Sequence, residues 1–342
     1  MNAQEQFKLI TRNLQEVVDE EKLQEIISTR PLKIYWGTAP TGKIHIGYFV
    51  PMFKLRDFLN AGCEVTILLA DIHAFLDNLK SSQDQLEART TYYKFMITEM
   101  LKTVGADVSK LNIVVGRDFQ LHQNYTLDMY TIASLASVRD TTRAGSEVVK
   151  QVDNPKLSGL LYPILQALDE QYLDVDAQFG GVDQRKIFMF AREFLPQIGY
   201  EKRIHLMNPI IGGLTEDGKM SASNENSKVD LLDEPKAIRK KLQKGHCVAG
   251  EVEGNFFMDF ARIVMFPHLL DQEKTFIIDR PEKFGGPLEY QSYEQLEQDF
   301  KTQALHPLDL KMGMADYIIT LLTPLQEQCG EEIQEVVSKA YE

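Results

Sequence analysis

Short apolar runs alternate with longer amphipathic stretches through the first two thirds of this 342-residue chain. Each run has the length of a buried strand, and each intervening stretch has the period of a helix. Strands that alternate with helices form a parallel sheet with right-handed crossovers. The pattern therefore predicts a doubly wound, Rossmann-type α/β domain. Its five candidate strands are residues 32–36, 64–70, 112–115, 175–179 and 203–207.

The interval between the third and fourth candidate strands, about residues 116–174, is too long for a single crossover. Its pattern is mostly helical, and a small, apolar stretch at 133–138 is followed by the basic residues Arg139, Arg143 and Lys150. We interpret this interval as a helical insertion with its own surface to cover, which a partner subunit would do.

Strand signals fade after residue 230, where helical patterns follow with one short β-like stretch at 275–278. We therefore predict two domains. Residues 1–230 form the α/β domain that carries the insertion, and residues 231–342 form a mainly α-helical domain. The helical patterns of the second domain cover 231–244, 256–265, 293–304 and 308–322.

A net charge of −13 argues against a protein that binds nucleic acid over its whole surface. It does not exclude a local basic face, and a candidate run is Lys236, Arg239, Lys240, Lys241 and Lys244. This run is either a solvated helix face or a surface for RNA. The three cysteines lie far apart, and no apolar run approaches the ~20 residues that span a bilayer. We expect a cytoplasmic protein with no membrane partner and no protein-bound metal.

Two loops carry the residue types that bind a polyphosphate. In Thr41-Gly-Lys-Ile-His45-Ile-Gly47-Tyr48, an imidazole at a helix start can donate to a phosphate oxygen, and the glycine leaves room for a nucleotide. In Gly218-Lys219-Met-Ser-Ala-Ser223, the lysine can neutralise charge that develops as pyrophosphate leaves. The spacing of a Walker A loop is absent. Taken alone, each segment is also compatible with a structural reading, a capped histidine in the first and a polar surface loop in the second.

Tyr162, Gln166 and Asp169 stand at i, i+4 and i+7 and therefore share one face of a helix, which Pro163 is expected to open. A face with a phenol, an amide and a carboxylate suits a pocket for a zwitterion that has a polar tip. His73 follows a candidate strand and could line the same pocket, the alternative being a hydrogen-bonded loop histidine.

The segment Gly180-Gly181-Val-Asp183-Gln184 follows the fourth candidate strand. Its two glycines permit close backbone approach, its aspartate can accept ribose hydroxyls, and its glutamine can reach an α-amino or carboxylate group. Ligands of doubly wound sheets bind at the carboxyl ends of the strands, where this segment and residues 35–46 are expected to lie.

The two phosphate-binding loops resemble the HIGH and KMSKS signatures of class I aminoacyl-tRNA synthetases. Over nearly its whole length, the chain resembles the eukaryotic and archaeal tyrosyl-tRNA synthetases of that class. The stretches that carry the likeness include Gly62-Cys-Glu-Val-Thr-Ile-Leu68, Ala144-Gly-Ser-Glu-Val-Val-Lys-Gln151, Ser158-Gly-Leu-Leu-Tyr-Pro163, Ala177-Gln-Phe-Gly-Gly181, His205-Leu-Met-Asn-Pro209 and His306-Pro-Leu-Asp309-Leu-Lys311.

The resemblance implies an enzyme that activates L-tyrosine with ATP and Mg²⁺ and transfers it to tRNA(Tyr), as a homodimer. It implies that Tyr35 and Asp169 bond the substrate phenol, and that Tyr162, Gln166 and Gln184 hold its α-amino end, with His73 in the same pocket. The implied ATP-binding residues are Gly37, Thr38, His45, Gly47, Gly181, Asp183, Lys219 and Met220. The implied catalytic residues are His45, Gly47, Lys219 and Ser221. The implied tRNA contacts are Arg143, Lys150, Lys240, Lys283 and Pro287.

One departure from the family pattern leaves alternatives open. Ala222-Ser223 replaces the second lysine of KMSKS, so one cation that stabilises pyrophosphate is missing. The form Lys-Met-Ser-Ala-Ser is also familiar from tryptophanyl-tRNA synthetases, which makes a tryptophan–tRNA ligase the nearest alternative enzyme. A synthetase-like binding protein that has lost turnover is the alternative of a different class.

Overall fold

The computed structural model divides the chain into two compact units. It describes residues 1–78, 82–149, 156–216 and 227–342. The first unit spans 1–41, 54–210 and 331–342, and the second spans 42–53 and 211–330. The functional division at residue 230 stays a prediction, since these units group two segments differently from the sequence pattern.

Backbone pairing and helix packing account for this grouping. Residues 42–53 belong to the second unit, where the Ile46 N–H donates to the Val229 carbonyl at 3.0 Å and the Leu231 N–H donates to the Ile44 carbonyl at 3.3 Å. The last helix belongs to the first unit, where the Arg89 Nε–H donates to the Ala340 carbonyl at 3.0 Å. Hydrophobic periodicity indicates that these segments have a buried face but cannot indicate which unit buries it.

Six strands form the sheet of the first unit, in the order β1-β6-β5-β2-β3-β4. The β1 strand is antiparallel to β6 and the other pairs are parallel, which confirms the predicted doubly wound fold. All five predicted strands are present. The sequence pattern missed β1 because three residues are too few to show an alternation. The strands are β1 (Glu16–Val18), β2 (Lys33–Thr38), β3 (Glu64–Leu69), β4 (Leu111–Val115), β5 (Ala177–Gly181) and β6 (Ile204–Asn208).

Helices connect and cover the strands of this sheet, and the described part of the interval 116–174 is mostly helical, as predicted. The helices are α1 (Ala3–Thr11), α2 (Glu20–Thr29), α3 (Phe49–Asn60), α4 (Asp71–Asn78), α5 (Gln83–Thr103), α6 (Arg117–Gln120), α7 (Gln123–Leu135), α8 (Val138–Ala144), α9 (Leu157–Tyr172) and α10 (Arg185–Phe194).

The expectation that Pro163 opens its helix is wrong, since α9 begins six residues earlier, at Leu157. Proline removes one backbone N–H bond and crowds the carbonyl four residues before it. Here that earlier residue is Gly159, and the buried side chains of Ile164, Leu165 and Leu168 hold the helix against the core. Tertiary packing therefore outweighs the local preference of proline.

The second unit contains the helices predicted after residue 230, with a two-stranded antiparallel hairpin. The helix predicted at 256–265 is a short α-helix followed by a π-helical turn, Ala261–Met265, and a further short helix that the sequence pattern did not predict follows at Phe266–Asp271. No helix in the described ranges is long and apolar enough to cross a membrane. The elements are α11 (Pro235–Lys244), α12 (Phe256–Phe260), α13 (Phe266–Asp271), β7 (Phe276–Ile278), β8 (Leu288–Tyr290), α14 (Tyr293–Lys301) and α15 (Pro307–Glu327), and α16 (Glu331–Tyr341) follows in the first unit.

Candidate active site

The predicted pocket residues of the first unit lie around the central strands β2, β3 and β5. Tyr35 lies on β2, and Gly37 and Thr38 form the carboxyl end of that strand. His73 lies in the first turn of α4, directly after β3, and not in a loop. Asp169 lies on α9, and its carboxyl group is almost fully buried.

The two oxygens of the Asp169 carboxyl group have different surroundings. Asp169 is 1% exposed, and its Oδ1 accepts hydrogen bonds from Gln120 Nε2 at 2.8 Å and from the Tyr125 hydroxyl at 2.9 Å. Its Oδ2 is buried and has no hydrogen-bond partner among the described residues. Burial raises the pKa of Asp169 to about 7, although the bonds from Gln120 and Tyr125 lower it. Oδ1 therefore accepts two hydrogen bonds, whereas Oδ2 accepts none from the described residues.

His73 places an unpaired donor beside this open acceptor. Burial lowers the pKa of His73 to about 3, so its imidazole is neutral at pH 7. Gln120 Nε2 faces His73 Nδ1 at 3.5 Å, and in the tautomer in which Nδ1 accepts from this amide the ring proton lies on Nε2. His73 Nε2 lies 3.9 Å from Asp169 Oδ2, too far for a hydrogen bond, and no described residue meets hydrogen-bond geometry with it, although the Tyr162 backbone acts on the ring and raises its pKa against the larger effect of burial. A hydroxyl group, which both donates and accepts, is the simplest group that satisfies the two atoms.

The side chains of Gln166, Gln184 and Asp183 form a chain of hydrogen bonds in the same unit. Gln166 Nε2 donates to Gln184 Oε1 at 3.1 Å, and Gln184 Nε2 donates to Asp183 Oδ2 at 2.8 Å. The Tyr35 hydroxyl donates to the backbone carbonyl of Gln166 at 3.4 Å. Burial raises the pKa of Asp183. Tyr162 stacks edge-on against His73, with 4.6 Å between the ring centroids. The structure thus brings together all six predicted tyrosine-binding residues in the first unit, while their roles stay predictions.

The two glycines at the end of β5 allow this arrangement. A Cβ atom at Gly180 would lie 3.0 Å from Gln184 Cγ and 3.0 Å from Phe188 Cζ. A Cβ atom at Gly181 would lie 2.3 Å from Asp183 Oδ1. The absence of a side chain at both positions therefore lets Asp183 and Gln184 fold back over the strand end, while the close backbone approach to a ligand stays a prediction.

In the second unit, His45 caps the short helical turn that contains Gly47. Its Nδ1 accepts a hydrogen bond from the Gly47 N–H at 3.3 Å. Burial, with the positive charge of Lys228, lowers the pKa of His45 to about 4, so the ring is neutral and carries its proton on Nε2. The capping role and the role of phosphate donor are therefore compatible, because they use different ring nitrogens.

Four predicted site residues lie outside the described residues: Lys150, Lys219, Met220 and Ser221. The ends of the segment that carries the last three are joined, since the Leu214 N–H donates to the Ser227 carbonyl at 3.0 Å. The backbone after Ser227 then pairs with the His45 segment through an isolated bridge at Asp230.

The predicted tRNA contacts lie on the surface. Arg143 is exposed and lies near two carboxylates, Asp140 at 3.6 Å and Glu193 at 3.7 Å. Lys240 is exposed, whereas its neighbours Arg239 and Lys241 form ion pairs with Asp316 and Asp233. The exposed residues Lys283 and Pro287 flank the turn that joins β7 to β8.

This turn also carries Phe284, which the sequence analysis missed. Phe284 is 61% exposed, and the Lys283 ammonium lies 4.9 Å from its ring centroid. An exposed aromatic ring beside a cation is a stacking surface for a nucleic acid base. Sequence reasoning also missed Gln120 and Tyr125. The only signal for Phe284 was its place between glycines and a lysine, and neither buried residue carries a local motif.

The helix α7 presents apolar side chains to solvent. Leu127 and Tyr130 are each 62% exposed, and they share one face of the helix at i, i+3 spacing. Contiguous exposed apolar groups on a folded chain mark interaction sites. Further exposed apolar side chains at the ends of α7 are Leu121, Leu135 and Val138.

Comparisons with known proteins agree with this geometry. The model of the class I tRNA synthetases (W and Y) matches residues 27–323. The cytoplasmic tyrosine–tRNA ligase of Saccharomyces cerevisiae is 51% identical over 100% of this chain and 89% of its own length. The corresponding ligase of Xenopus tropicalis is 54% identical over 98% of this chain, which spans 62% of that protein.

A solved structure extends the likeness to three dimensions. The tyrosyl-tRNA synthetase from Archaeoglobus fulgidus, complexed with L-tyrosine, superposes with a TM-score of 0.87 at 38% identity, over 96% of this chain and 100% of that one. The family match, the identities and the shared fold point the same way. The chain belongs to the tyrosyl-tRNA synthetases of eukaryotic and archaeal type, within the class I synthetase family for tryptophan and tyrosine.

Proposed function

We propose that this enzyme activates L-tyrosine with ATP and esterifies tRNA(Tyr) with it in the cytoplasm; its relatives are named cytoplasmic tyrosine–tRNA ligases. The observation that carries the amino-acid specificity is that two neighbouring buried atoms, Asp169 Oδ2 and His73 Nε2, have no hydrogen-bond partner among the described residues. A tyrosine hydroxyl donates to Asp169 Oδ2 and accepts from His73 Nε2–H, and thereby satisfies two buried polar atoms at once. Tyr35, 1% exposed and on the adjacent strand, is the third group for this hydroxyl.

The other end of the substrate is held by the amide chain. The side chains of Gln166 and Gln184, with the Tyr162 hydroxyl, offer donors and acceptors to the α-amino and carboxylate groups. A zwitterion that is fixed at both ends holds its carboxylate in one place, which lowers the entropic part of the barrier.

The residues predicted to bind ATP offer different kinds of contact. His45 offers Nε2–H to a phosphate oxygen, and Gly47 leaves room for the nucleotide. Gly37, Thr38 and Gly181 provide backbone at strand ends, and Asp183 accepts ribose hydroxyls. Lys219, with Met220 and Ser221, supplies the cationic loop. The described residues contain no group of three or more His, Cys, Asp or Glu side chains arranged for a metal, so we propose that Mg²⁺ arrives with ATP.

The chemistry follows from positioning. A tyrosine carboxylate oxygen attacks the α-phosphorus of ATP, the bond to the bridging oxygen breaks, and pyrophosphate leaves with the electron pair. A terminal ribose hydroxyl of tRNA then attacks the carbonyl carbon of the adenylate, loses its proton, and releases AMP. No protein nucleophile takes part, so fixed donors and the Lys219 charge stabilise the transition state.

The geometry argues against tryptophan as the substrate. An indole N–H can donate to Asp169 Oδ2 but has no lone pair for the proton on His73 Nε2. Tryptophan would leave one buried donor unpaired, which costs roughly 1–3 kcal/mol. The synthetase-like protein without turnover is distinguished by tyrosine-dependent exchange of pyrophosphate into ATP.

We propose that two copies of the chain associate through α7. The face that carries Leu127 and Tyr130 is apolar and exposed, whereas the opposite face of the helix packs on α9 through Tyr125 and Ile132. Burial of this surface against a second copy would remove it from water. The partner subunit would then cover the exposed apolar surface of the insertion.

We propose that tRNA is bound at two places. Arg143 and Lys150 of the insertion contact the acceptor end, and the turn with Lys283, Phe284 and Pro287 contacts the anticodon. Phe284 supplies a stacking surface, and Lys283 and Lys240 supply charge. Such local basic and aromatic groups suffice for specific binding in a chain whose overall charge is −13.

The substitution Asp169→Asn tests the phenol contact. It removes the negative acceptor while keeping the size of the side chain, so kcat/KM for tyrosine should fall by roughly 10²-fold and that for phenylalanine should change little. Asp128→Asn is the matched control, since Asp128 also accepts a phenol bond, from Tyr172 at 2.7 Å, but lies outside the pocket. A tyrosine-to-phenylalanine ratio unchanged within threefold in Asp169→Asn would contradict the assignment.

The substitution Phe284→Ala tests the RNA contact. Loss of one base-stacking surface should raise the KM for tRNA roughly tenfold and leave tyrosine-dependent pyrophosphate exchange unchanged. Leu270→Ala, which removes another exposed apolar side chain of the second unit, should alter neither quantity. If Phe284→Ala slowed exchange in step with charging, the ring would have a structural role instead.

The substitution Leu127→Glu tests the dimer. Wild-type protein should sediment at twice the mass of one chain, and Leu127→Glu should shift it to monomer at micromolar concentration, because a carboxylate would be buried in the apolar interface. The control Ile277→Glu changes an equally exposed apolar residue of the second unit and should remain dimeric. A wild-type monomer, or a dimeric Leu127→Glu variant, would refute this interface.

A further inference from the structure

The two donors to Asp169 come from α6 and α7, and not from α9, which carries Asp169 itself, or from the strands beside it. Gln120 is the last residue of α6, and Tyr125 lies in the first turn of α7. Both side chains are buried, at 4% and 1% exposure. Both donate to the same oxygen, Oδ1, and leave Oδ2 without a partner among the described residues.

We propose that Tyr125, together with Gln120, is a positioning residue for tyrosine recognition: the two donors occupy one oxygen of Asp169 so that the other faces the substrate hydroxyl. This inference rests on the proposed role of Asp169 in binding the phenol. Tyr125 and Gln120 act on the substrate only through the carboxylate that they hold.

The ring of Tyr125 is held on two sides. It packs against Phe119 at 5.8 Å and against Tyr172 at 4.8 Å between ring centroids. The Tyr125 hydroxyl therefore has a fixed position, as a group that orients a substrate-binding residue requires.

The Tyr125 hydroxyl also suits both protonation states of Asp169. Its oxygen lies 2.8 Å from the Leu165 carbonyl and 2.9 Å from Asp169 Oδ1. When Asp169 is ionised, the single hydroxyl proton is directed to the carboxylate. When Asp169 is protonated on Oδ1, its own O–H can donate to the Tyr125 oxygen, and the Tyr125 proton moves to the Leu165 carbonyl.

The groups around Asp169 determine the pH at which it ionises. His73 faces it from α4, Tyr35 from β2, Tyr125 from α7, and Tyr162 and Glu170 from its own helix. His73 is neutral, and Glu170 is hydrogen-bonded to His205 at 2.7 Å. The bond from Tyr125 lowers the pKa of Asp169 against the larger effect of burial, which raises it. Without that bond, the carboxyl group should ionise at higher pH.

The substitution Tyr125→Phe tests the inference, with Tyr172→Phe as a matched control that removes a phenol–carboxylate bond in the same cluster without contacting Asp169. We measure kcat and KM for tyrosine and phenylalanine over about pH 5 to 9. The carboxylate is the form that accepts the phenol proton, so wild-type kcat/KM for tyrosine should rise with pH through the pKa of Asp169, about 7. Tyr125→Phe should move this midpoint upward and lower the tyrosine-to-phenylalanine ratio roughly tenfold, mainly through KM. Tyr172→Phe should do neither.

A second variant and the Asp169→Asn enzyme separate the possible failures. Gln120→Met removes the other donor and should shift the midpoint in the same direction, which keeps the inference testable if Tyr125→Phe does not fold. If Asp169→Asn abolishes selectivity while Tyr125→Phe and Gln120→Met change only the melting temperature, the inference is overturned and the proposed function stands. If Asp169→Asn leaves selectivity intact, the proposed recognition of the phenol has failed, and the positioning role falls with it.

Discussion

A carboxyl group buried among aromatic rings is costly unless donors surround it, and the site depends on how Asp169 meets this constraint. Gln120 and Tyr125 satisfy one oxygen, and the other faces the unpaired Nε2–H of His73 across 3.9 Å. A protein that leaves two buried polar atoms unpaired stores binding energy for a ligand that pairs them both. The tyrosine hydroxyl is such a ligand, whereas phenylalanine pairs neither atom and an indole pairs one.

Much of this arrangement was predictable, because it depends on local periodicity. Strand and helix patterns predict the parallel sheet, and i, i+4, i+7 spacing places Tyr162, Gln166 and Asp169 on one face. The tandem glycines before Asp183 mark the end of a strand, where the side chains of Asp183 and Gln184 occupy the space that a Cβ would need. Gln120 and Tyr125 could not be found in this way, since their positions depend on how α6 and α7 pack against α9. For the same reason the predicted start of the helix at Pro163 was wrong. The helix continues through this proline because its buried side chains pack in the core, and local propensity does not include such packing.

Burial favours the neutral form of two histidines, His73 and His45, and their surroundings determine which ring nitrogen carries the proton. Burial lowers the pKa of His73 to about 3 and, with Lys228, that of His45 to about 4. Each ring accepts or faces a donor at Nδ1, and each therefore presents Nε2–H as a donor. Burial thus favours the neutral form of both imidazoles, and we propose that other groups help to offset the charge on the leaving pyrophosphate. We therefore expect Lys219, the one lysine in the Lys219–Ser223 segment, to neutralise part of this charge.

The central claim is that this pocket selects tyrosine by its hydroxyl. The most direct measurement is ATP–pyrophosphate exchange by the wild-type enzyme with each of the twenty amino acids in turn, without tRNA. The account predicts exchange with tyrosine that exceeds exchange with phenylalanine by at least about 10²-fold and exchange with tryptophan by roughly 5- to 150-fold, since phenylalanine leaves two buried polar atoms unpaired and tryptophan leaves one. Comparable exchange with tryptophan or phenylalanine, or no exchange with tyrosine despite its binding, would contradict it.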